Sequence, residues 1–148
     1  MVNFIENISL TAMQKGDHFD AGPNAMLIQI LDPRTNADYL NDNLVPLPEW
    51  VPNPKHQFSQ RHVFQFLDIE DDNEAADEHG INLSQARTLV NLLQHALDNR
   101  MNVVVHCTVG VCRSGAVVEI GEMLGFTPCE KFRIPNTRVM RLMMQILG

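Results

Sequence analysis

From Asn102 to Gly115 the chain reads Asn-Val-Val-Val-His-Cys-Thr-Val-Gly-Val-Cys-Arg-Ser-Gly. A β-branched apolar run leads into His106-Cys107, five residues with one glycine follow, and Arg113-Ser114 opens a stretch of helical periodicity. A buried strand, a tight loop and a helix start in that order leave few folds open. The strand must lie inside a sheet, and the helix must pack back upon it.

The loop in such an arrangement turns backbone N–H groups inward, and the helix behind it adds the positive end of its dipole, so a dianionic phosphate or sulfate fits inside. Thr108, Val109, Gly110, Val111 and Cys112 form this loop. The thiol of Cys107 lies in the same positive field, which favours a thiolate nucleophile at neutral pH. Arg113 carries a planar fork of donors able to hold two phosphate oxygens and the charge of a transition state. Ser114 is placed to donate its hydroxyl to the Cys107 sulfur as that sulfur leaves. His106 is expected behind the loop, orienting it through hydrogen bonds without touching substrate.

His106-Cys107, five residues, then Arg113-Ser114 resembles the signature of the cysteine-dependent protein tyrosine phosphatases. Gly110 stands where many dual-specificity members have a glycine, and Val109 where they often have alanine. The flanking order of elements extends the resemblance over roughly the C-terminal two thirds of the chain. It implies an α/β fold whose central, mainly parallel sheet of about four or five strands carries helices on both faces. It also implies hydrolysis of phosphate esters through a phosphocysteine, with an aspartate on a mobile loop upstream protonating the leaving oxygen.

At 148 residues and 45% hydrophobic content, the chain reads as one globular domain with enough apolar residues for a full core. The first fourteen residues hold no Lys or Arg, so no secretory or mitochondrial leader is indicated. No apolar run approaches membrane-spanning length. Three cysteines make no disulfide framework, and a required thiolate suits the reducing cytoplasm. A net charge of −7 disfavours nucleic acid and anionic membranes as partners. The resemblance implies a phosphoprotein or phosphopeptide substrate, and the chain is expected to be a monomer. The six histidines show no ligand-like spacing with cysteine or carboxylate, so neither a metal nor another cofactor is expected.

In chain order, Met1 to Leu10 suits an edge strand, and Ala25 to Leu31, nearly all apolar, an inner one stopped by Asp32-Pro33. Asn36 to Leu44 suggests a short helix, after which four prolines bracket Trp50 in a long loop. Trp50 either pins that loop onto the core or lines a substrate groove. Arg61 to Ile69 resumes β character. A helix capped by Asn82 or Ser84 carries Leu89, Val90, Leu93 and Leu97 on one face and delivers the chain to the strand at Val103. A helix follows the signature as far as Gly125, then a connection from Phe126 to Ile134 containing a short helical turn, then a last helix opened by Pro135-Asn136.

Glu70, Asp71, Asp72, Glu74, Asp77 and Glu78 make an acidic run, which ordinarily means a solvated loop. Here it also lies where the resemblance implies a general acid. Asp71 follows the alternating Leu67-x-Ile69-x pattern and is the leading candidate, with Asp72 beside it and Asp68, within the apparent strand, as alternatives.

Cys112 has the cysteine spacing seen in low-molecular-weight tyrosine phosphatases. This suggests a redox role in which it traps an oxidised Cys107 as a disulfide; the alternative is a small apolar loop residue. Lys131, Arg133, Arg138 and Arg141 make the C-terminal region locally basic, steering phosphopeptides if they face the pocket. A chain this short suits a shallow pocket taking phosphotyrosine and also phosphoserine or phosphothreonine. The loop carries no lysine of the kind that grips multiply phosphorylated inositols. A phosphoprotein-binding pseudo-enzyme and a sulfurtransferase or arsenate reductase with a similar anion loop are the competing classes.

Overall fold

The computed structural model describes residues 3–33, 53–71, 73 and 78–148. The expected helix from Asn36 to Leu44, the proline-rich loop with Trp50, and Asp72 lie outside the described residues.

Strand β1 (Phe4–Ser9) runs directly into a short helix, α1 (Leu10–Lys15), and β2 (Ala25–Leu31) follows. Then come β3 (Gln60–Gln65), helix α2 (Leu83–Asp98), β4 (Asn102–Cys107) and helix α3 (Arg113–Leu124). The two-residue β5 (Thr127–Pro128) and helix α4 (Thr137–Leu147) complete the order. The strands form one sheet in the order β3-β2-β4-β1-β5, and every pairing is parallel. This is the α/β architecture anticipated from the strand-loop-helix stretch.

Parallel strands inside a sheet are covered on both faces, and β2 shows it: all seven residues are buried. Side-chain alternation divides the core in two. Ile5, Ile28, Val103, Val105 and Cys107 face the layer containing α2, α3 and α4, whereas Ile8, Leu27 and Val104 pack with Met13 of α1 on the other side. The asymmetry suits the helices. α1 is a single short turn closed by Ser9 and Gly16, while α2 starts on a full capping box between Asn82 and Gln85.

Three expectations are corrected. β1 is not an edge strand; it lies between β4 and β5, because Phe4 and Ile5 pair with Thr127 and Pro128, a strand too short to show alternation. The expected helical turn between Phe126 and Ile134 is replaced by this β5 and irregular backbone. β3 ends at Gln65 rather than reaching Ile69, since the chain turns on itself, with Leu67 N donating to His79 O and Ile69 N to Leu67 O. Asp68 is therefore outside the strand and exposed. Among the described residues no helix is long and apolar enough to cross a membrane.

Candidate active site

β4 ends at Cys107 and β2 at Leu31, so the thiol and Asp32 meet at the carboxyl edge of the sheet, where open α/β sheets bind ligands. The loop from Thr108 to Cys112 is fixed by its carbonyls. Thr108 O accepts from Leu10 N at 3.3 Å, Gly110 O from Asn7 Nδ2 at 2.7 Å, Val111 O from Ile134 N at 3.1 Å and Cys112 O from Asn136 N at 2.9 Å. In a planar trans peptide the carbonyl and the following N–H point opposite ways, so carbonyls drawn outward leave N–H groups facing the loop's interior. α3 begins at Arg113 without a side-chain cap, and its first-turn donors also stay open to an anion.

Gly110 makes this closure possible. Its φ of +84° lies in the left-handed region, and a Cβ there would sit 2.3 Å from the Ile8 carbonyl carbon. From that position Gly110 N donates to Cys107 Sγ at 3.2 Å, and Ser114 Oγ lies 3.2 Å from the same sulfur. Cys107 is 3% exposed and Ser114 fully buried, so both contacts are shielded from water.

Arg113 is 5% exposed, and three of its five N–H donors are engaged among the described residues. Its Nη1 donates to Asp32 Oδ1 and to Phe66 O, each at 2.7 Å, and Nη2 donates to Thr108 Oγ1 at 3.1 Å. The guanidinium thus ties the ends of β2 and β3 to the loop. Asp32 had drawn no attention in the sequence beyond ending a strand.

A cleft of about 540 Å³ is lined by Asp68, Ile69, Glu70, Asp71, Cys112 and Ile134. Two of the three candidate acids therefore share a cleft with Cys112 of the loop. They differ in their partners. Asp68 Oδ1 accepts from Asn136 Nδ2 at 2.6 Å and faces the Cys112 thiol, while Asp71 is exposed and makes no hydrogen bond among the described residues. Asn136, fully buried, joins the whole region: its N–H holds the loop, its Nδ2 holds Asp68, and its Oδ1 caps α4 at Val139 N, 2.9 Å away.

All three cysteines are free thiols. Burial first, then the charges of Asp68, Cys107 and Glu70, push the Cys112 thiol above its ordinary range. Burial and the neighbouring Glu6 push Cys129 up to about 11. Burial lowers His106 to about 4, with Arg61 and Arg113 adding to the shift; the Cys107 backbone opposes it without reaching hydrogen-bonding geometry. The orienting hydrogen bonds expected of His106 are not made. Its ring points to the face opposite Cys107, as strand alternation requires, and neither ring nitrogen has a hydrogen-bond partner among the described residues.

The C-terminal basic residues are largely committed elsewhere. Arg133 pairs with Glu119 at 2.6 Å and Glu122 at 3.2 Å, Lys131 lies 3.7 Å from Glu6, and Arg138 donates to Ile81 O at 3.1 Å. Among the described residues no group of three histidine, cysteine or carboxylate side chains is placed to hold a metal ion.

No family model and no curated protein matches the chain. Among solved structures, the human tyrosine phosphatase-like serine/threonine/tyrosine-interacting protein aligns with 92% of this chain and 80% of its own, at 18% identity and a TM-score of 0.47. Likeness at that level speaks to neither activity nor substrate.

Proposed function

We propose that the protein hydrolyses phosphate monoesters on phosphoproteins, phosphotyrosine foremost and phosphoserine or phosphothreonine as well, through a phosphocysteine intermediate. The observation that carries this reading is the loop itself. Its carbonyls are drawn outward around a cysteine sulfur that already contacts Gly110 N–H and the Ser114 hydroxyl.

In the first step Cys107 attacks phosphorus in line and Asp71 gives its proton to the departing oxygen. Asp71 is preferred over Asp68 because it lines the cleft with no competing partner among the described residues, whereas Asp68 is occupied by Asn136 and Cys112. In the second step the same aspartate takes a proton from water as water attacks phosphorus, and the Cys107 sulfur leaves toward Ser114. Loop amides and Arg113 hold the phosphoryl charge throughout.

Hydrolysis of para-nitrophenyl phosphate across pH by wild type, Cys107→Ser, Asp68→Asn, Asp71→Asn and Asp72→Asn tests the proposal. Cys107→Ser should abolish turnover, and Asp71→Asn should lower kcat by roughly 100-fold, the scale of a lost general acid. Inactive, freshly reduced wild type that still binds phosphopeptide would replace hydrolysis with phosphoprotein binding. Phosphotyrosine, phosphoserine and phosphothreonine peptides of one sequence then rank the substrates.

A further inference from the structure

We infer that Asn7, in the middle of β1, is a positioning residue for the phosphate loop, with the task the sequence had suggested for His106. This rests on the oxyanion-binding reading above. Asn7 is 2% exposed, and its carboxamide is used one-sidedly. Nδ2 donates to Gly110 O at 2.7 Å and to Phe132 O at 3.2 Å, while Oδ1 is buried with no partner among the described residues.

A buried acceptor with nothing to accept is costly, and an apolar side chain of the same shape would avoid that cost. The carboxamide is therefore poorly explained by packing and well explained by its two donors. Both end on segments that build the site. Holding Gly110 O on the β1 side turns the Val111 N–H the opposite way, into the loop, and keeps Gly110 where its own N–H meets Cys107 Sγ. The second bond fixes Phe132 in the segment whose Ile134 and Asn136 hold the next two loop carbonyls. Among the described residues, every other clamp on a loop carbonyl is a backbone N–H, so Asn7 is the clamp that substitution can remove.

Wild type, Asn7→Leu and Asn7→Asp would be compared by tungstate titration calorimetry, by para-nitrophenyl phosphate kinetics and by urea unfolding. Asn7→Leu removes both donors and the orphan acceptor, so it should unfold at no lower urea than wild type yet bind tungstate at least tenfold more weakly. Asn7→Asp keeps the shape but sets a carboxylate against two carbonyls. Its affinity should be poor near neutral pH and recover toward wild type as acid protonates the new side chain and restores a donor, a profile that a packing defect would not give. Unchanged tungstate affinity in folded Asn7→Leu, or a weakened Asn7→Asp with no recovery in acid, would overturn the inference. Wild type that binds tungstate but hydrolyses nothing would refute the proposed hydrolysis and leave the Asn7 comparison readable. Wild type that binds no tungstate would overturn both.

Discussion

Arg113 and Asp32 form an ion pair at 2.7 Å in which the guanidinium side is almost wholly enclosed and the carboxylate is 58% exposed. Asp32 thus places a negative charge beside the donor fork that, in the proposed function, takes the phosphate. Phe66 O and Thr108 Oγ1 hold the guanidinium independently, so it stays in place when that charge is removed. Asp32→Asn is expected to tighten tungstate binding by about threefold to tenfold at low salt, and the gain should shrink as ionic strength rises. Titration calorimetry at two salt concentrations checks this; weaker binding would show that Asp32 serves mainly to hold Arg113.

Gly110→Ala should be far more harmful than an ordinary surface substitution. The φ of +84° is strained for any L side chain, and the new methyl carbon would lie 2.3 Å from the Ile8 backbone. Expected are a loss of about 2–4 kcal/mol in urea unfolding and the loss of tungstate binding. A stable variant that binds as wild type would mean the loop relaxes at no cost.

His106 makes stability depend on acid. Its folded value is about 4 against 6.5 for the free side chain, so between those values the unfolded chain takes up a proton that the native site refuses. Its contribution is fully present above pH 6.5 and is lost as the pH falls toward 4, up to about 3 kcal/mol. His106→Gln should flatten this part of the profile when urea unfolding is followed by circular dichroism at falling pH. Parallel wild-type and variant curves would place the acid sensitivity elsewhere.

Cysteine reactivity should follow surroundings rather than exposure alone. Cys112 and Cys129 are both half-buried thiols raised by burial and neighbouring carboxylates. At neutral pH both should alkylate slowly with iodoacetamide, and Asp68→Asn should speed Cys112 while leaving Cys129 unchanged, as read by peptide mass spectrometry. The same thiol character slows the redox trap suggested for Cys112, in which peroxide oxidises Cys107 to a sulfenic acid and Cys112 then forms the disulfide with release of water. If that disulfide forms readily under mild peroxide in wild type, Asp68 is not the restraint.

What the sequence made legible is what lies close together along it. Val103 to Gly115 contains strand, loop and helix start in one run, and its pattern predicted a strand ending at Cys107 and a helix opening at Arg113, as the structure has them. β2 was equally plain, being apolar throughout. The missing parts are joined only by folding. Asn7 sits in a strand where a polar residue reads as a solvent-facing position, Asp32 reads as a strand terminator, and Asn136 reads as a helix cap. Each does what its local pattern suggests, or could, and reaches the loop besides. His106 shows the converse error: adjacency to Cys107 suggested service to the loop, but successive strand residues face opposite ways.

The outward-held carbonyls of the loop from Thr108 to Cys112 also fix when the site can come into being. Their partners are Asn7 and Leu10, made long before Cys107, and Ile134 and Asn136, made after it. A ribosome therefore releases Cys107 before half of the scaffold that holds its loop exists. The loop's geometry is therefore complete only once segments from both sides of it have folded onto it.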